Sequence, residues 1–352
     1  MTRTGGIRMV DATRAEFDGT ATERDLVELA LLPELEVVQC SVPVPEALWT
    51  TLDTVFFTAR PDVVLCVYGH YGITCDLSFT RLLPNVRRFS AHGLNKPTGV
   101  EHIAAMTGLR SLHLGIFELK DLGILERVPA ELTSLALEAT RNKRASLKVL
   151  GRFRALKELR LEGHSTDIEV LGELSALEDL MLRSITTEDL RYLEPLQRLW
   201  SLDIKLGGIR DFTGVVGKKS IKNLELWQVR ELPDIDVVAA LPGLQNLFLQ
   251  SLPNVAAFPQ LGDARHLRRV VVENMKGLSD LSALEHAPAL EEFDLRDGKK
   301  QVPQQLVPVL KNPALRSISA NFGSDRKDKE FAQLRAHYGK AEWTRWQAFA
   351  YR

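Results

Sequence analysis

The sequence predicts an α/β solenoid of short parallel strands joined by short helical returns. Three observations predict it. A three-point apolar motif recurs thirteen times along the chain. A second apolar ladder, with period three, precedes the motif in repeat after repeat. And 352 residues, 45% of them apolar, exceed the ~250–300 residues at which a single globular core stops growing.

The motif is clearest in Leu109-x-x-Leu112-x-Leu114. It recurs from Leu132, Leu156, Leu177, Leu199, Ile221, Leu244, Leu267, Leu290 and Leu315. Upstream it starts from Val86, from Val63 (as Val63/Cys66/Tyr68) and from Leu35 (as Leu35/Val38/Cys40), with steps of 21 to 28 residues throughout. Alternation of the fourth and sixth positions is the signature of a strand buried on one face. The second ladder comprises Ile168/Leu171/Leu174, Leu190/Leu193/Leu196, Ile235/Val238/Leu241, Phe258/Leu261/Ala264 and Leu281/Leu284/Ala287. A period of three fits a 3-10 or single-turn return better than a regular α-helix. No repeat can bury its ladder alone, so the repeats must stack, with strands ~4.8 Å apart lining the inner curve.

The pattern resembles the leucine-rich-repeat family, nearest the 21–23-residue subtype of phosphatase-regulator and internalin-like proteins. The resemblance spans Leu26 to Phe322 and implies a right-handed horseshoe with a parallel sheet on its concave side. Where the family usually places an asparagine, eight residues after each first leucine, this chain has Phe117, Thr140, His164, Ile185, Gly207, Val229, Leu252, Met275 and Gly298. An asparagine ladder is absent, so the backbone of that turn needs other partners.

A solenoid needs covered ends. Residues 1–25 are expected to form an N-terminal cap with a strand at Ile7–Val10, residues 26–322 the repeats, and residues 323–352 a C-terminal cap, in one continuous domain. Glu46–Ala59 carries Leu48, Leu52, Val55 and Phe56 at helical spacing, which accounts for the longest step. Asp328–His337 reads as an amphipathic helix with Phe331 and Leu334 inward, followed by Trp343, Trp346 and Phe349 as a lid.

Lys and Arg number 45 against 46 Asp and Glu, which gives no electrostatic footprint for nucleic acid or an anionic membrane. No apolar run approaches the ~20 residues of a membrane span, and no signal peptide is visible. Cys40, Cys66 and Cys75 are an odd, sparse set that suits reduced, cytoplasmic thiols. Nucleotide, serine-hydrolase and zinc-protease motifs are absent. Cys40 and Cys66 are expected inward as small hydrophobes, and Cys75 has Asp76 beside it. His70, His92 and His113 belong to consecutive repeats but sit at different positions in them, a poor match to the strict geometry of a metal site. The expectation is a non-enzyme with no cofactor and no metal.

The third, fifth and seventh positions of each repeat should face solvent across the strands. Their N-terminal third reads as small and neutral, with Val67 and Gly69 among them. From Glu138 to Arg296 nine are acidic and five basic, with Met181, Trp227 and Phe248 among the charges. Aromatic anchors in a polar rim are what interface hot spots look like. Arg160, Met181, Arg183, Asp203, Lys205, Glu225, Trp227 and Phe248 are the expected contact residues. The expected function is a non-catalytic scaffold, a monomer or weak oligomer, binding a protein or peptide as an inhibitor, immunity-type protein or regulatory subunit. The alternatives are recognition of a non-protein ligand such as a glycan, and substrate recognition within a larger enzyme complex.

Overall fold

The computed structural model describes residues 3–69, 74–94, 96–344 and 348–352. They divide into two compact units, Met1–Leu177 and Glu178–Arg352, and both carry the leucine-rich-repeat solenoid fold.

The first unit opens with three short strands, β1 (Arg3–Thr4), β2 (Ile7–Met9) and β3 (Arg14–Phe17), in antiparallel sequence. The sheet then turns parallel, as β3 pairs with β4 (Val37–Cys40). It continues through β5 (Val64–Tyr68), β6 (Arg88–His92), β7 (Ser111–Gly115), β8 (Ser134–Leu137) and β9 (Glu158–Glu162). Helix α1 (Glu23–Ala30) starts with a capping box between Thr22 and Asp25 and buries Leu26 and Leu29. Helix α2 (Glu46–Thr51) runs on into a π-helical turn over Leu52–Phe57, burying Leu52, Phe56 and Phe57.

The second unit is a parallel sheet of β10 (Asp179–Arg183), β11 (Ser201–Lys205), β12 (Asn223–Trp227), β13 (Asn246–Gln250), β14 (Arg269–Glu273), β15 (Glu292–Arg296), β16 (Ser317–Ala320) and β17 (Ala341–Glu342). Its register places Leu180, Leu202, Leu224, Leu247, Val270, Phe293 and Ile318 in one row. All seven are buried, so the fourth-position ladder is one continuous apolar stack. Short 3-10 returns follow the period-three ladder at Arg191–Leu193, Asp236–Val238 and Ser282–His286. Helices α3 (Val307–Lys311) and α4 (Asp325–His337) lie near the end, and Phe331 of α4 packs on Phe322 with ring centroids 6.0 Å apart. Leu334 is only half-buried, and Trp346 lies outside the described residues.

Backbone geometry explains how the turn manages without asparagine. Every strand from β10 to β15 is followed by a non-glycine residue with positive φ: Ser184, Leu206, Gln228, Ser251, Asn274 and Asp297. That conformation aims the N–H sideways at the next repeat. Ser184 donates to the Lys205 carbonyl at 2.7 Å, Leu206 to Trp227 at 2.9 Å, Gln228 to Gln250 at 2.9 Å, Ser251 to Glu273 at 3.0 Å and Asn274 to Arg296 at 2.9 Å. The left-handed region costs an L-residue roughly 1–2 kcal/mol, which a buried, satisfied donor offsets. In the first unit glycine takes this place at Gly69, Gly93 and Gly163.

Two expectations are corrected. The Val63 repeat is shifted by one residue. Leu65 pairs with Phe89 and Val67 with Ala91, so these two point inward, while Cys66 and Tyr68 lie beside Ser90 and His92 on the other face. The run Val63-Val-Leu-Cys-Val is apolar throughout, so alternation could not set its phase, and a one-residue slip exchanges the two faces. The Phe258/Leu261/Ala264 ladder forms turns without a helical return. Pro259 pushes Phe258 toward extended backbone and Gly262 is a poor helix former, so the segment buries Phe258 and Leu261 without a helical turn.

Leu180→Ala and Leu224→Ala should each cost roughly 2–5 kcal/mol, read by denaturant unfolding. Leu65→Ala should be as severe and Cys66→Ala much milder; the reverse order would restore the unshifted register.

Candidate binding face

In each unit one face of the sheet packs on the helical returns and the other is open. On the open face of the first unit, adjacent strands stack the rings of Tyr68 and His92 at 6.0 Å and those of His92 and His113 at 5.4 Å. Hydrogen bonds tie the row together. Ser90 Oγ lies 3.2 Å from His92 Nδ1 and 3.1 Å from His113 Nδ1, and His113 Nε2 lies 2.8 Å from a Glu138 carboxylate oxygen. Glycine at position 115 permits the last contact, since a Cβ there would sit 2.5 Å from the Glu138 carboxylate. At the other end Tyr68 donates to Glu16 at 2.9 Å, and Arg8 and Ser41 also reach Glu16. Burial opposes its charge, but these donors hold the Glu16 carboxyl below its ordinary range. Burial, and then the neighbouring His113, lower the pKa of His92.

This region is therefore polar and aromatic rather than small and neutral. The one-residue shift puts Cys66 and Tyr68 where Val67 and Gly69 were expected. Cys66 is still buried, its sulfur 3.9 Å from His92 Nδ1. Among the described residues no group of three or more His, Cys, Asp and Glu could hold a metal ion; His70 lies outside them. Of the expected contact residues Arg160 belongs to this unit, exposed on β9.

The other seven expected residues lie on the second unit's open face. Met181 and Arg183 are on β10, Asp203 and Lys205 on β11, Glu225 and Trp227 on β12, and Phe248 on β13. Asp203 lies opposite Glu225, Lys205 opposite Trp227, and Glu225 opposite Phe248. Lys205 bridges Asp203 at 3.1 Å and Glu225 at 2.9 Å, and its ammonium lies 5.6 Å from the Trp227 ring centre. Only 8% of Lys205 is exposed, and Trp227, Phe248 and Met181 are half-buried rather than standing free in solvent. Burial first, then the Glu225 charge, push the Asp203 carboxyl well above its ordinary range against the pull of Lys205. At the third positions Asn223 donates to Ser201 at 3.2 Å and Asn246 to Asn223 at 2.7 Å, and Arg269 pairs with Glu292 at 2.5 Å.

Sequence reasoning missed what lies on this face. Trp343 and residues 349–352 pack along its edge, against residues at the starts of the strands. The Arg269 guanidinium sits 5.1 Å from the Trp343 ring and 4.9 Å from the Phe349 ring. Arg268 stacks on Phe349 at 5.1 Å and donates to the Ala350 carbonyl at 2.8 Å. The Tyr351 ring meets Trp200 edge-on at 5.0 Å, and Gln245 exchanges two hydrogen bonds with the Arg352 backbone, at 2.6 and 2.8 Å. Aromatics at 343, 349 and 351 flanking these arginines were the available signal, but spacing alone does not say which surface they cover.

Repeated strand–turn units with one buried ladder and one open, side-chain-rich face define a leucine-rich-repeat solenoid. No family model and no curated protein sequence matches the chain. Among solved structures it is similar to an internalin (inlF) of Listeria monocytogenes, with a TM-score of 0.56 and 18% identity over 89% of this chain and 87% of that one. It is also similar to a leucine-rich-repeat protein of Leptospira interrogans, with a TM-score of 0.47 and 19% identity over 90% and 91% of the two chains. TLR13 in complex with ssRNA13 matches with a TM-score of 0.41 and 16% identity over 85% of this chain and 55% of that one. At these identities the likeness is one of fold. Among the described residues no helix is long and apolar enough to cross a membrane.

A carboxyl with a raised folded pKa makes the native state bind protons more readily than the unfolded chain, so stability falls as pH rises through the interval. For Asp203 that interval begins near the ordinary aspartate value of ~3.9. Asp203→Asn should flatten the decline in stability between about pH 4 and 7, measured by urea unfolding across pH; an unchanged slope would place the charge of Asp203 elsewhere.

Proposed function

We propose that the protein is a non-catalytic scaffold that binds a protein partner on the open face of its strands, with Trp227 and Phe248 as anchors. The observation that carries this is the seating of Trp343 and of residues 349–352. The second unit's face accepts an extended aromatic segment through arginine–ring stacking and backbone hydrogen bonds, which is how such a face would hold a partner's chain. The row Asp203–Lys205–Glu225 is already paired, so it meets a partner as a preformed, rigid surface and loses little entropy on binding. Arg183 supplies orientation through charge. In this reading residues 26–322 carry the repeats, residues 1–25 and 323–352 close them, no cofactor takes part, and inhibition of another protein by occlusion is the favoured role. Three unpaired buried cysteines accord with a cytoplasmic setting.

Trp227→Ala with Phe248→Ala should weaken partner binding by about 2 kcal/mol or more without unfolding the chain. The check is a comparative pull-down from native lysate read by mass spectrometry, with circular dichroism confirming the fold. A partner retained equally by both proteins would exclude these residues as the anchor. Recovery of no protein by either bait would move a glycan or other small ligand ahead.

A further inference from the structure

At the N-terminal ends of β14–β16 the second unit has a cleft of about 620 Å³, within the ~300–1,000 Å³ typical of ligand sites. Its charged lining is one-sided: Arg265, Arg268, Arg316 and Arg352, with His266 beside them, against the single carboxylate of Glu291. Three of the arginines converge on that carboxylate, Arg268 at 3.1 Å, Arg352 at 3.5 Å and Arg316 at 3.9 Å. The hydrogen bond and charge of Arg268, with the charges of Arg316 and Arg352, hold the Glu291 carboxyl below its ordinary range. One carboxylate cannot occupy the five N–H donors that each guanidinium presents.

The arginines also differ in freedom. The Arg268 side chain is 14% exposed and fixed by Phe349 and the Ala350 carbonyl. Those of Arg316 and Arg352 are 73% and 67% exposed. One anchored guanidinium with two movable ones is a clamp. Pro288 and Pro313 in its wall offer no N–H of their own, so the arginines are its anion donors on that side.

We infer that this cleft binds a phosphomonoester dianion. Arginine forks match phosphate oxygens in paired, charge-assisted hydrogen bonds, and a double negative charge offsets two of the three positive charges that Glu291 leaves over. The phosphate comes either from a small phosphorylated metabolite or from a phosphorylated side chain of a protein. Only the second source rests on the function proposed above, and it would make partner binding phosphorylation-dependent.

The test is calorimetric titration of the full chain with inorganic phosphate, O-phosphoserine, and a phosphoserine peptide beside its unphosphorylated form, at constant ionic strength in chloride. Saturable binding of phosphate or phosphoserine is expected, strengthening from pH 5.5 to 7.5 as the second phosphate proton, with pKa ≈ 6, is lost. Arg316→Ala and Arg265→Ala should each weaken it about tenfold, the loss of roughly one charge-assisted contact. Both change solvent-facing side chains, so folding is spared. Glu291→Gln, which removes the competing internal carboxylate, should tighten it several-fold. A peptide preferred over inorganic phosphate assigns the source to a protein side chain, and the opposite order assigns it to a metabolite.

No saturable binding would overturn the inference, as would binding indifferent to both arginine substitutions. Capture of a single-stranded oligonucleotide that O-phosphoserine does not displace would overturn it too. Because these ligands are small, phosphate binding with no partner captured by Trp227 and Phe248 refutes the proposed function and leaves this inference intact. A captured partner without phosphate binding does the reverse.

Discussion

Everything in this protein depends on one constraint: an isolated repeat exposes its apolar ladder and half of its backbone polar groups, and only neighbouring repeats can cover both. In the second unit the row from Leu180 to Ile318 solves the first problem by cross-strand packing. The positive-φ turn after each strand solves the second by sending its N–H to the next repeat's carbonyl. Because both solutions use inward side chains and backbone, they leave the third, fifth and seventh positions to the hydrogen bonds and ion pairs of the open face. Function can be written there at little cost in folding.

That division of labour also explains what was legible in the sequence. The repeat, the parallel strands and the 3-10 returns follow from apolar periodicity, which packing enforces copy after copy. Legibility failed where periodicity loses its contrast. Five consecutive apolar residues from Val63 to Val67 carry no phase, so the face bearing Tyr68 and Cys66 was assigned to the wrong side. Phe258, Leu261 and Ala264 keep the spacing of a helical return, but Pro259 pushes Phe258 toward extended backbone and Gly262 disfavours the turn that should follow. The face residues on β10–β13 were placed correctly by counting from their leucines. Their state was not legible, because burial of Lys205 between Asp203 and Glu225 depends on side chains from adjacent repeats, roughly 22 residues apart in sequence.

The course of the C-terminal segment is the larger omission. Its aromatics could cap the last repeat or line a face; Trp343 follows β17 and stacks with Arg269 and Arg296. Arginine is well suited to that double use, since a guanidinium can stack flat on a ring while its edge keeps donating to carboxylates and carbonyls. Arg268 does this with Phe349, Ala350 and Glu291 together.

Charge on this face therefore acts differently from what net composition suggests. The acidic excess counted along the strands is largely spent internally: Asp203 and Glu225 on Lys205, Glu292 on Arg269, Asp294 and Glu273 on Arg296. Half-buried pairs of this kind contribute modestly to stability, because desolvation offsets much of the attraction. What they supply is a fixed pattern of charge that does not reorganise when water leaves. On the binding role proposed above, a partner would have to match that pattern or leave a buried charge unpaired, at a cost of about 2–5 kcal/mol. In that role selectivity would come from the penalty for mismatch, and it would be greatest where the charge is most buried, around Lys205, rather than at the exposed rim.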